Sequence, residues 1–351
     1  MTAAEAEGDK GSAGFGGATT SGDAEHTGNE SLQGGESLLG GSCPMPATMA
    51  GALACRKCGT ILDITAVRPA SPFVGLICRP RKFGVAAGAP PRLKREYFFM
   101  RLKGLVTMIT GGGSGFGAGI CETYAAHGAK VVVADINGHA AERVAAALKA
   151  RGSDAIGCQG DVSKSADMKS LVDTATRQYG RLDVMVNNAG MSHANQPMLN
   201  VPEEIFDRIF QVNVKSIYLS AMHCVPIFRQ QGSGCFINVA STAGVRPRPG
   251  LTWYNGSKGA VILFTKSMAV ELAPEKIRVN AINPVIGETG LLSTFMGAED
   301  TPANRAKFIA TIPLGRLSRP SDIANAAVFL ADPASEFITG LCMEVDGGRC
   351  V

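Results

Sequence analysis

The segment Val106-Thr-Met-Ile-Thr-Gly-Gly-Gly-Ser-Gly-Phe-Gly117 joins an apolar, strand-like run to a glycine-rich turn that opens a helix. Gly111 allows the tight turn, Gly115 lets the backbone approach a pyrophosphate, and Gly117 permits close packing of the helix. The amino end of that helix supplies free N–H groups and a positive dipole. This order of strand, turn and helix predicts a βαβ unit that binds a dinucleotide.

The acidic residue at the end of the next predicted strand supports this interpretation. Asp135 follows the run Lys130-Val-Val-Val-Ala, near the distance of about 20 residues at which an acid binds the adenosine ribose. A carboxylate accepts hydrogen bonds from ribose hydroxyls and repels a 2′-phosphate, so the sequence favours NAD over NADP. An ordinary glycine-rich loop followed by a solvated acid remains the alternative for these residues alone.

Short apolar runs alternate with helical stretches from residue 100 to the end of the chain. We predict strands at residues 106–110, 130–135, 155–159, 182–187, 235–241, 278–284 and 342–345. Helical spacing predicts helices at residues 117–127, 140–151, 166–179, 202–228 and 253–272. The alternation predicts an α/β fold, a single Rossmann-type doubly wound parallel sheet of about seven strands with helices on both faces.

The chain has 351 residues, about a hundred more than one such domain needs. Residues 1–42 are acidic and rich in Gly, Ala, Ser and Thr, whereas residues 43–99 are basic and interrupted by Pro and Gly. We therefore expect a disordered, low-complexity leader over residues 1–99 and one folded domain over residues 100–351.

Three interpretations of this leader compete. A targeting segment is disfavoured by the acidic start. A small metal module is suggested by Cys55-Arg-Lys-Cys58, but a zinc ribbon needs a second close pair, so no metal is predicted. The favoured interpretation is a dispensable or mis-assigned upstream extension, with the natural start at Met100.

Composition excludes several functional classes. Hydrophobic residues make up 45% of the chain and charged residues 18%, which predicts a globular protein. The net charge of +4 is too small to indicate a nucleic-acid partner. No uncharged apolar run reaches the roughly 20 residues that span a bilayer, so no membrane partner is expected. Single cysteines scattered through apolar stretches predict reduced thiols in a cytoplasmic protein.

A tyrosine and a lysine four residues apart form the candidate catalytic pair. Tyr254-Asn-Gly-Ser-Lys258 opens a predicted helix, and this spacing places both side chains on one face. A neighbouring ammonium favours the phenolate and would lower the pKa of Tyr254. Ser241 ends the fifth predicted strand, where its hydroxyl could hold a substrate oxygen. Alone, each residue has an ordinary alternative, namely a solvated helix pair or a helix cap.

The glycine spacing Gly-x-x-x-Gly-x-Gly, followed in order by the motifs at Asp161-Val162, Asn187-Asn-Ala-Gly190, Ser241 and Tyr254-x-x-x-Lys258, resembles the short-chain dehydrogenase/reductase family in its classical form. The resemblance covers residues 100–351 and does not reach the leader. It implies NAD as cofactor, with binding residues Gly111, Ser114, Gly115, Phe116, Gly117, Asp135, Asp161, Val162, Asn188, Ala189, Gly190, Tyr254, Lys258, Pro284, Gly287 and Thr289.

The resemblance also implies a reaction, hydride transfer between the nicotinamide and a small secondary alcohol or ketone. Tyr254 would serve as acid and base, and Lys258 would lower its pKa and bind the nicotinamide ribose. Ser241 would orient the substrate oxygen, and Asn213 would complete a water-linked proton relay. The helices at residues 202–228 and 253–272 form subunit interfaces in the family, so a homotetramer is expected.

Substrate residues are less well defined. Val285 stands where the family usually has Gly after Pro284, which leaves the local backbone path open. Residues 291–312 cover the substrate in the family and read here as a mobile lid with apolar residues beneath it, Phe295, Met296 and Phe308. Four other residues could line the pocket or merely pack or lie at the surface, namely His193, Arg246, Arg248 and Trp253, of which the two arginines could bind an anion.

Two alternative functions remain. A 3-oxoacyl-carrier-protein reductase fits the same general pattern, but Asp135 disfavours the NADPH that such reductases commonly use. A non-catalytic nucleotide-sensing or scaffold protein would have no need of Ser241, Tyr254 and Lys258, which are all present.

Overall fold

The computed structural model describes residues 53–54, 61–62 and 100–351. In the upstream part, β1 (Leu53–Ala54) pairs antiparallel with β2 (Ile61–Leu62). The expected disorder of residues 1–99 and the possible metal module at Cys55 and Cys58 otherwise lie outside the described residues.

The domain is built on a parallel sheet of seven strands, which are β3 (Val106–Thr110), β4 (Lys130–Asp135), β5 (Ala155–Gln159), β6 (Val184–Asn187), β7 (Gly234–Val239), β8 (Ile277–Pro284) and β9 (Cys342–Val345). Their order in the sheet is β5-β4-β3-β6-β7-β8-β9. The predicted doubly wound sheet is confirmed, and strand boundaries differ from the predictions by at most two residues.

Two hydrophobic cores cover the two faces of the sheet. In β4, Val131 and Val133 face one core and Val132 and Ala134 face the other, because successive side chains of a strand point to opposite faces. All four side chains are buried. A strand enclosed on both faces explains the continuous apolar run that the sequence carries here.

The predicted helices are present, with small shifts at their ends. They are α1 (Gly115–Ala126), α2 (Gly138–Ala150), α3 (Ser165–Tyr179), α4 (Glu203–Phe210), α5 (Ser216–Gln231) and α6 (Thr252–Leu272). A π-helical turn, Gln211–Lys215, joins α4 to α5, so the single helix predicted over residues 202–228 has three parts. Within the described residues no helix is long and apolar enough to span a membrane.

Three further helices follow the sixth strand of the sheet. They are α7 (Leu292–Met296), α8 (Pro302–Ile309) and α9 (Pro320–Ala331). The predicted lid contains α7 and α8, whereas α9 was absent from the predicted helices. Because α9 is rich in alanine, its sequence shows little periodic alternation between apolar and polar residues. Its buried residues nevertheless pack against the sheet, namely Ile323, Ala324, Ala327 and Val328.

The chain reverses its winding direction between β3 and β6, which are neighbours in the sheet. Connections from these two strands lead to opposite sides, and a crevice forms beyond their carboxyl ends. The glycine-rich turn after β3 and the Asn-Ala-Gly turn after β6 therefore meet at this point.

Candidate active site

The glycine-rich turn forms a cradle at the amino end of α1. Asn188 holds it in place, because its Nδ2 donates to the carbonyl oxygens of Thr110 (2.9 Å) and Gly111 (3.2 Å). A Cβ on Gly117 would collide with the carbonyl oxygen of Gly111. Ser114 precedes the helix and makes no side-chain cap to it. The first N–H groups of α1 are thus left available to an anion such as a pyrophosphate.

The Asp135 carboxylate lies beside this cradle. Its Oδ2 accepts from the backbone N–H of Gly113 (2.9 Å) and its Oδ1 from that of Asn137 (2.9 Å). Each carboxylate oxygen has further lone pairs with which to accept a hydroxyl proton. The backbone contacts fix the carboxylate where a ribose joined to a pyrophosphate on the cradle would lie.

A second acid, Asp161, is anchored by an arginine. Arg208 from α4 lies 3.1 Å from Asp161 and also donates to Ser163, whose hydroxyl is 2.6 Å from the same carboxylate. Hydrogen bonds from Ser163 and Arg208 hold the pKa of Asp161 below its ordinary value, despite the opposing effect of burial. Asp161 and the buried Val162 line the cleft next to Asp135.

Tyr254 and Lys258 project from the first turns of α6 into the same cleft, and both are buried. The Lys258 Nζ donates to the carbonyl oxygen of Val239 (2.8 Å) and lies 5.9 Å from the centroid of the Tyr254 ring. Ser241 follows β7 and lines the same cleft, and its hydroxyl acts to lower the pKa of the Tyr254 phenol. The three side chains therefore converge, as their spacing predicts.

The pKa of Tyr254 differs from the expectation. Burial raises it to about 12, although Ser241 and the Arg248 guanidinium act in the opposite direction. Burial also lowers the pKa of Lys258 to about 8. The expected lowering of the phenol pKa by the ammonium does not occur in this state, because desolvation outweighs the nearby positive charges.

Asn213 lies in the π-helical turn, behind Lys258. Its amide forms two hydrogen bonds with the backbone of Met191. The Oδ1 accepts from the Met191 N–H (2.9 Å), and the Nδ2 donates to the Met191 carbonyl oxygen (2.9 Å). A methyl group placed on Gly190 would lie 3.3 Å from both the Asn213 Oδ1 and the Lys258 Nζ. The Asn213 Oδ1 and the Lys258 Nζ therefore lie on the same side of the Gly190 backbone.

These residues enclose one cleft of about 630 Å³. Beyond Tyr254 its wall is aromatic and basic. The Phe295 ring lies 5.1 Å from the Tyr254 ring, and the Arg248 guanidinium lies 4.7 Å from the centre of the Phe308 ring. The open helix end, the fixed carboxylate of Asp135 and the glycine cradle fit a bound NAD.

Comparisons with known proteins agree with this geometry. A family model described as enoyl-(acyl carrier protein) reductase matches residues 111–349. The chain belongs to the short-chain dehydrogenase/reductase family. It is 53% identical to 4-formylbenzenesulfonate dehydrogenase of Comamonas testosteroni, over 71% of this chain and 99% of that protein. It is 34% identical to cyclopentanol dehydrogenase of a Comamonas strain, over 71% of this chain and 98% of that protein.

A solved structure of this dehydrogenase/reductase family is also similar. The 3-ketoacyl-(acyl-carrier-protein) reductase from Brucella melitensis complexed with NADH has 46% sequence identity and a TM-score of 0.67, over 71% of this chain and 99% of that one. The family, the fold, the enzyme class and NAD as cofactor are thus confirmed. The chain is an NAD(H)-dependent oxidoreductase acting on CH–OH groups.

The structure brings nearly all of the predicted site residues of this dehydrogenase/reductase to the cleft. Its lining includes Gly111, Ser114, Gly115, Phe116, Asp135, Asp161, Val162, Asn188, Ala189, Gly190, Ser241, Tyr254, Lys258, Pro284, Gly287 and Thr289. Gly117 lies beneath the cradle and Asn213 behind Lys258, so both act from a second layer. Val285 is buried without a positive φ, so this position does not need a glycine.

The open substrate positions separate into three groups. Arg248, Phe295 and Phe308 line the cleft. Met296 is buried in a small core beneath the lid. The remaining three residues do not line the cleft. Trp253 packs edge-on to Phe206, and the His193 Nδ1 lies 2.8 Å from the carbonyl oxygen of Ala194. The exposed Arg246 donates to the Arg349 carbonyl oxygen.

Three basic residues at the cleft were not predicted, Arg208, Lys307 and Arg349. Arg208 could have been suspected as a partner for Asp161, but no local spacing connects them. Arg349 lies at the end of the chain, and nothing in its sequence neighbourhood indicates a return to the site.

Proposed function

We propose that the enzyme interconverts small secondary alcohols and ketones, with Tyr254 as the acid and base. The observation that carries this assignment is the convergence of the Tyr254 and Ser241 hydroxyls, with buried Lys258 beside them, at the end of the cleft remote from Asp135. NAD supplies the hydride acceptor when bound, and NADH the donor.

The protein residues hold the oxygen and move its proton. Ser241 orients the substrate oxygen towards Tyr254. In the reductive direction the protonated phenol, whose pKa of about 12 keeps it neutral at physiological pH, donates to that oxygen. In oxidation the proton returns to Tyr254. Lys258, with a pKa of about 8, carries its charge at neutral pH and is placed to bind the nicotinamide ribose.

Asn213 has a positioning role in this scheme. It fixes the backbone at Met191, and its Oδ1 and the Lys258 Nζ lie on the same side of Gly190. A water that bridges Asn213 and Lys258 would complete the proton relay.

Asp135 sets the preference for NAD over NADP. Its carboxylate is fixed by Gly113 and Asn137, and a 2′-phosphate on the same ribose would meet its negative charge. Arg208, the nearby cation, is already paired with Asp161.

The second candidate is reduction of 3-oxoacyl groups on an acyl carrier protein, which is favoured by the 46% identity to the Brucella reductase. Other relatives act, by their names, on an arene sulfonate or a cyclic alcohol. The relatives thus agree on the class of reaction and differ in the molecule.

Assembly and location follow from surface properties. We propose a homotetramer in the cytoplasm, without nucleic-acid or membrane partners. Exposed apolar side chains on α5 and α6 favour subunit contacts through these helices: Tyr218, Met222, Leu263, Phe264 and Val270. The six cysteines of residues 100–351 are free, which suits a reducing compartment. Residues 100–351 would carry the activity without residues 1–99.

The deciding experiment is a substrate panel with NAD and NADP. It should contain neutral and charged secondary alcohols, cyclic alcohols and a 3-oxoacyl-carrier-protein. We expect turnover of secondary alcohols with NAD. Turnover of the acyl-carrier substrate alone would favour the second candidate, and strong preference for NADP would contradict the role of Asp135.

A further inference from the structure

The substrate end of the cleft contains an arginine with no anionic partner. Arg248 lines the cleft and is partly buried, with its Nη2 3.4 Å from the Phe295 carbonyl oxygen and its guanidinium over the Phe308 ring. Among residues 100–351, no carboxylate lies within ion-pairing distance of it. By contrast, Arg181, Arg229, Arg305 and Arg316 each pair with an acid.

Other positive charges surround Arg248. Lys307 and Arg349 line the same end of the cleft, also without a carboxylate partner within the described part of the chain. Burial, followed by the nearby Arg349, lowers the pKa of Arg248. Like charges held together at a partly desolvated site are unfavourable, and a bound anion would relieve the repulsion.

The acids that line the cleft lie at the other end. They are Asp135 and Asp161, beside the glycine cradle. No acidic side chain of residues 100–351 lines the cleft beyond Tyr254. The positive end is therefore electrostatically suited to a negatively charged group and separate from the part that binds adenosine.

An aromatic surface connects this charge to the reacting position. Phe295 packs against the Tyr254 ring on one side, and its carbonyl oxygen accepts from Arg248 on the other. The Arg248 guanidinium lies over the face of the Phe308 ring. An aromatic ring of a substrate could pack on Phe295 while its oxygen reaches Tyr254 and its far end meets Arg248.

We propose that Arg248, assisted by Lys307 and Arg349, is the specificity determinant for an anionic aromatic substrate, one whose ring carries a carboxylate or sulfonate at the end away from the reacting alcohol or ketone. This proposal rests on the alcohol-ketone activity proposed above. Arginine suits the task because its planar fork binds two oxygens of such an anion while its face stacks on an aromatic ring.

The test compares matched substrates that differ only in the charged group. These are 1-phenylethanol, 4-(1-hydroxyethyl)benzoate and 4-(1-hydroxyethyl)benzenesulfonate, each with NAD. The full-length enzyme should have a kcat/KM about 100-fold higher for the two anions than for the neutral alcohol, the size expected for a paired and partly buried charge. Equal values, or preference for the neutral alcohol, would overturn the proposal.

Variants of Arg248 test whether the preference for anionic substrates depends on this residue. Arg248→Met should lower kcat/KM for the anions about 100-fold and for 1-phenylethanol by much less, so that the preference for the anions is lost, with a change below about threefold in the KM of NAD. Arg248→Lys should lose about tenfold, because it keeps the charge but not the fork. The control is Arg151→Met, an exposed arginine at the end of α2, which should match the wild type. An equal loss with charged and neutral substrates would show a structural role instead.

A measurement of anion binding tests the proposed anion site independently of the proposed reaction. Calorimetry with NADH and 4-acetylbenzenesulfonate, on wild type and Arg248→Met, requires no turnover. If the wild type binds the anion, the variant does not, and no alcohol is oxidised, the proposed activity fails and the anion site stands. If neutral alcohols are oxidised and the anion binds equally to both proteins, the anion site fails and the activity stands.

Discussion

The two ends of the cleft carry opposite charges and are assembled in different ways. At the adenosine end, Asp135 and Asp161 follow adjacent strands and are fixed by hydrogen bonds to neighbouring residues. At the substrate end, Arg248 from the loop before α6 contacts Phe308 of the lid, which is distant from it in sequence. The cofactor part of the site thus depends on strand ends, whereas the substrate part depends on loops that can change without disturbing the sheet.

The largest effect should come from the residue placed between the two ends. Tyr254→Phe removes only the hydroxyl and should lower kcat by about 1,000-fold, since a positioned acid and base contributes about that factor. The dissociation constant of NAD, measured by fluorescence titration, should change less than about twofold. The matched control is Tyr179→Phe at the end of α3, whose hydroxyl donates to Asp154 and which does not line the cleft. Near-normal turnover by Tyr254→Phe would refute its assignment.

Removing the charge at the adenosine end should change cofactor choice and leave the substrate end intact. Asp135→Asn keeps one acceptor for the backbone but cannot repel a 2′-phosphate. We expect the ratio of kcat/KM for NAD to that for NADP to fall about 30-fold, within the range for hydrogen bonds to charged groups. Asp173→Asn, an exposed acid on α3, serves as control. An unchanged ratio would mean that Asp135 only supports the loop.

The aromatic part of the substrate end can be tested separately from its charge. Phe308→Ala removes the ring under Arg248 and should reduce kcat/KM for anionic arenes about tenfold, as expected for loss of a partly desolvated cation–π contact. Phe337→Ala, in which a fully exposed ring is removed, should have no kinetic effect. A similar loss with neutral and anionic substrates would indicate that Phe308 acts through packing alone.

The last expected effect is on stability and not on turnover. Lys258 has a folded pKa of about 8, against an ordinary value of 10.5, so the unfolded chain binds its proton more tightly. Stability contributed at this position should therefore rise between pH 8 and pH 10, by about 2 kcal/mol relative to Lys258→Met. Urea unfolding of the wild type and of Lys258→Met across this pH range measures the difference in the free energy of unfolding. Tyr254 is present in both proteins, so its own titration contributes to both. Parallel pH profiles would contradict the buried ammonium.

The sequence predicted those parts of the enzyme whose residues act close to one another along the chain. The glycine cradle, Asp135 and the pair Tyr254 and Lys258 are each defined within one turn or one βα unit, and the structure brings them to one cleft. The roles of these residues stay predictions.

Other features depend on packing that no local pattern records. The Asp161–Arg208 ion pair joins the loop after β5 to α4, and Arg349 reaches the cleft from the end of the chain. The raised pKa of Tyr254 has the same origin. A charge partner four residues away can be read from the sequence, but the desolvation that exceeds it comes from the surrounding fold.

The π-helical turn at Gln211–Lys215 makes this part of the enzyme sensitive to chain length. Such a turn holds one residue more than the α-helix around it needs, and it is this arrangement that presents Asn213 to Met191. Deleting one residue here would restore regular winding and leave the faces of the flanking helices in place, but it would move Asn213 away from Met191. The segment should therefore accept many substitutions at its surface but no deletion, so that the length of this turn is under stronger constraint than most of its side chains.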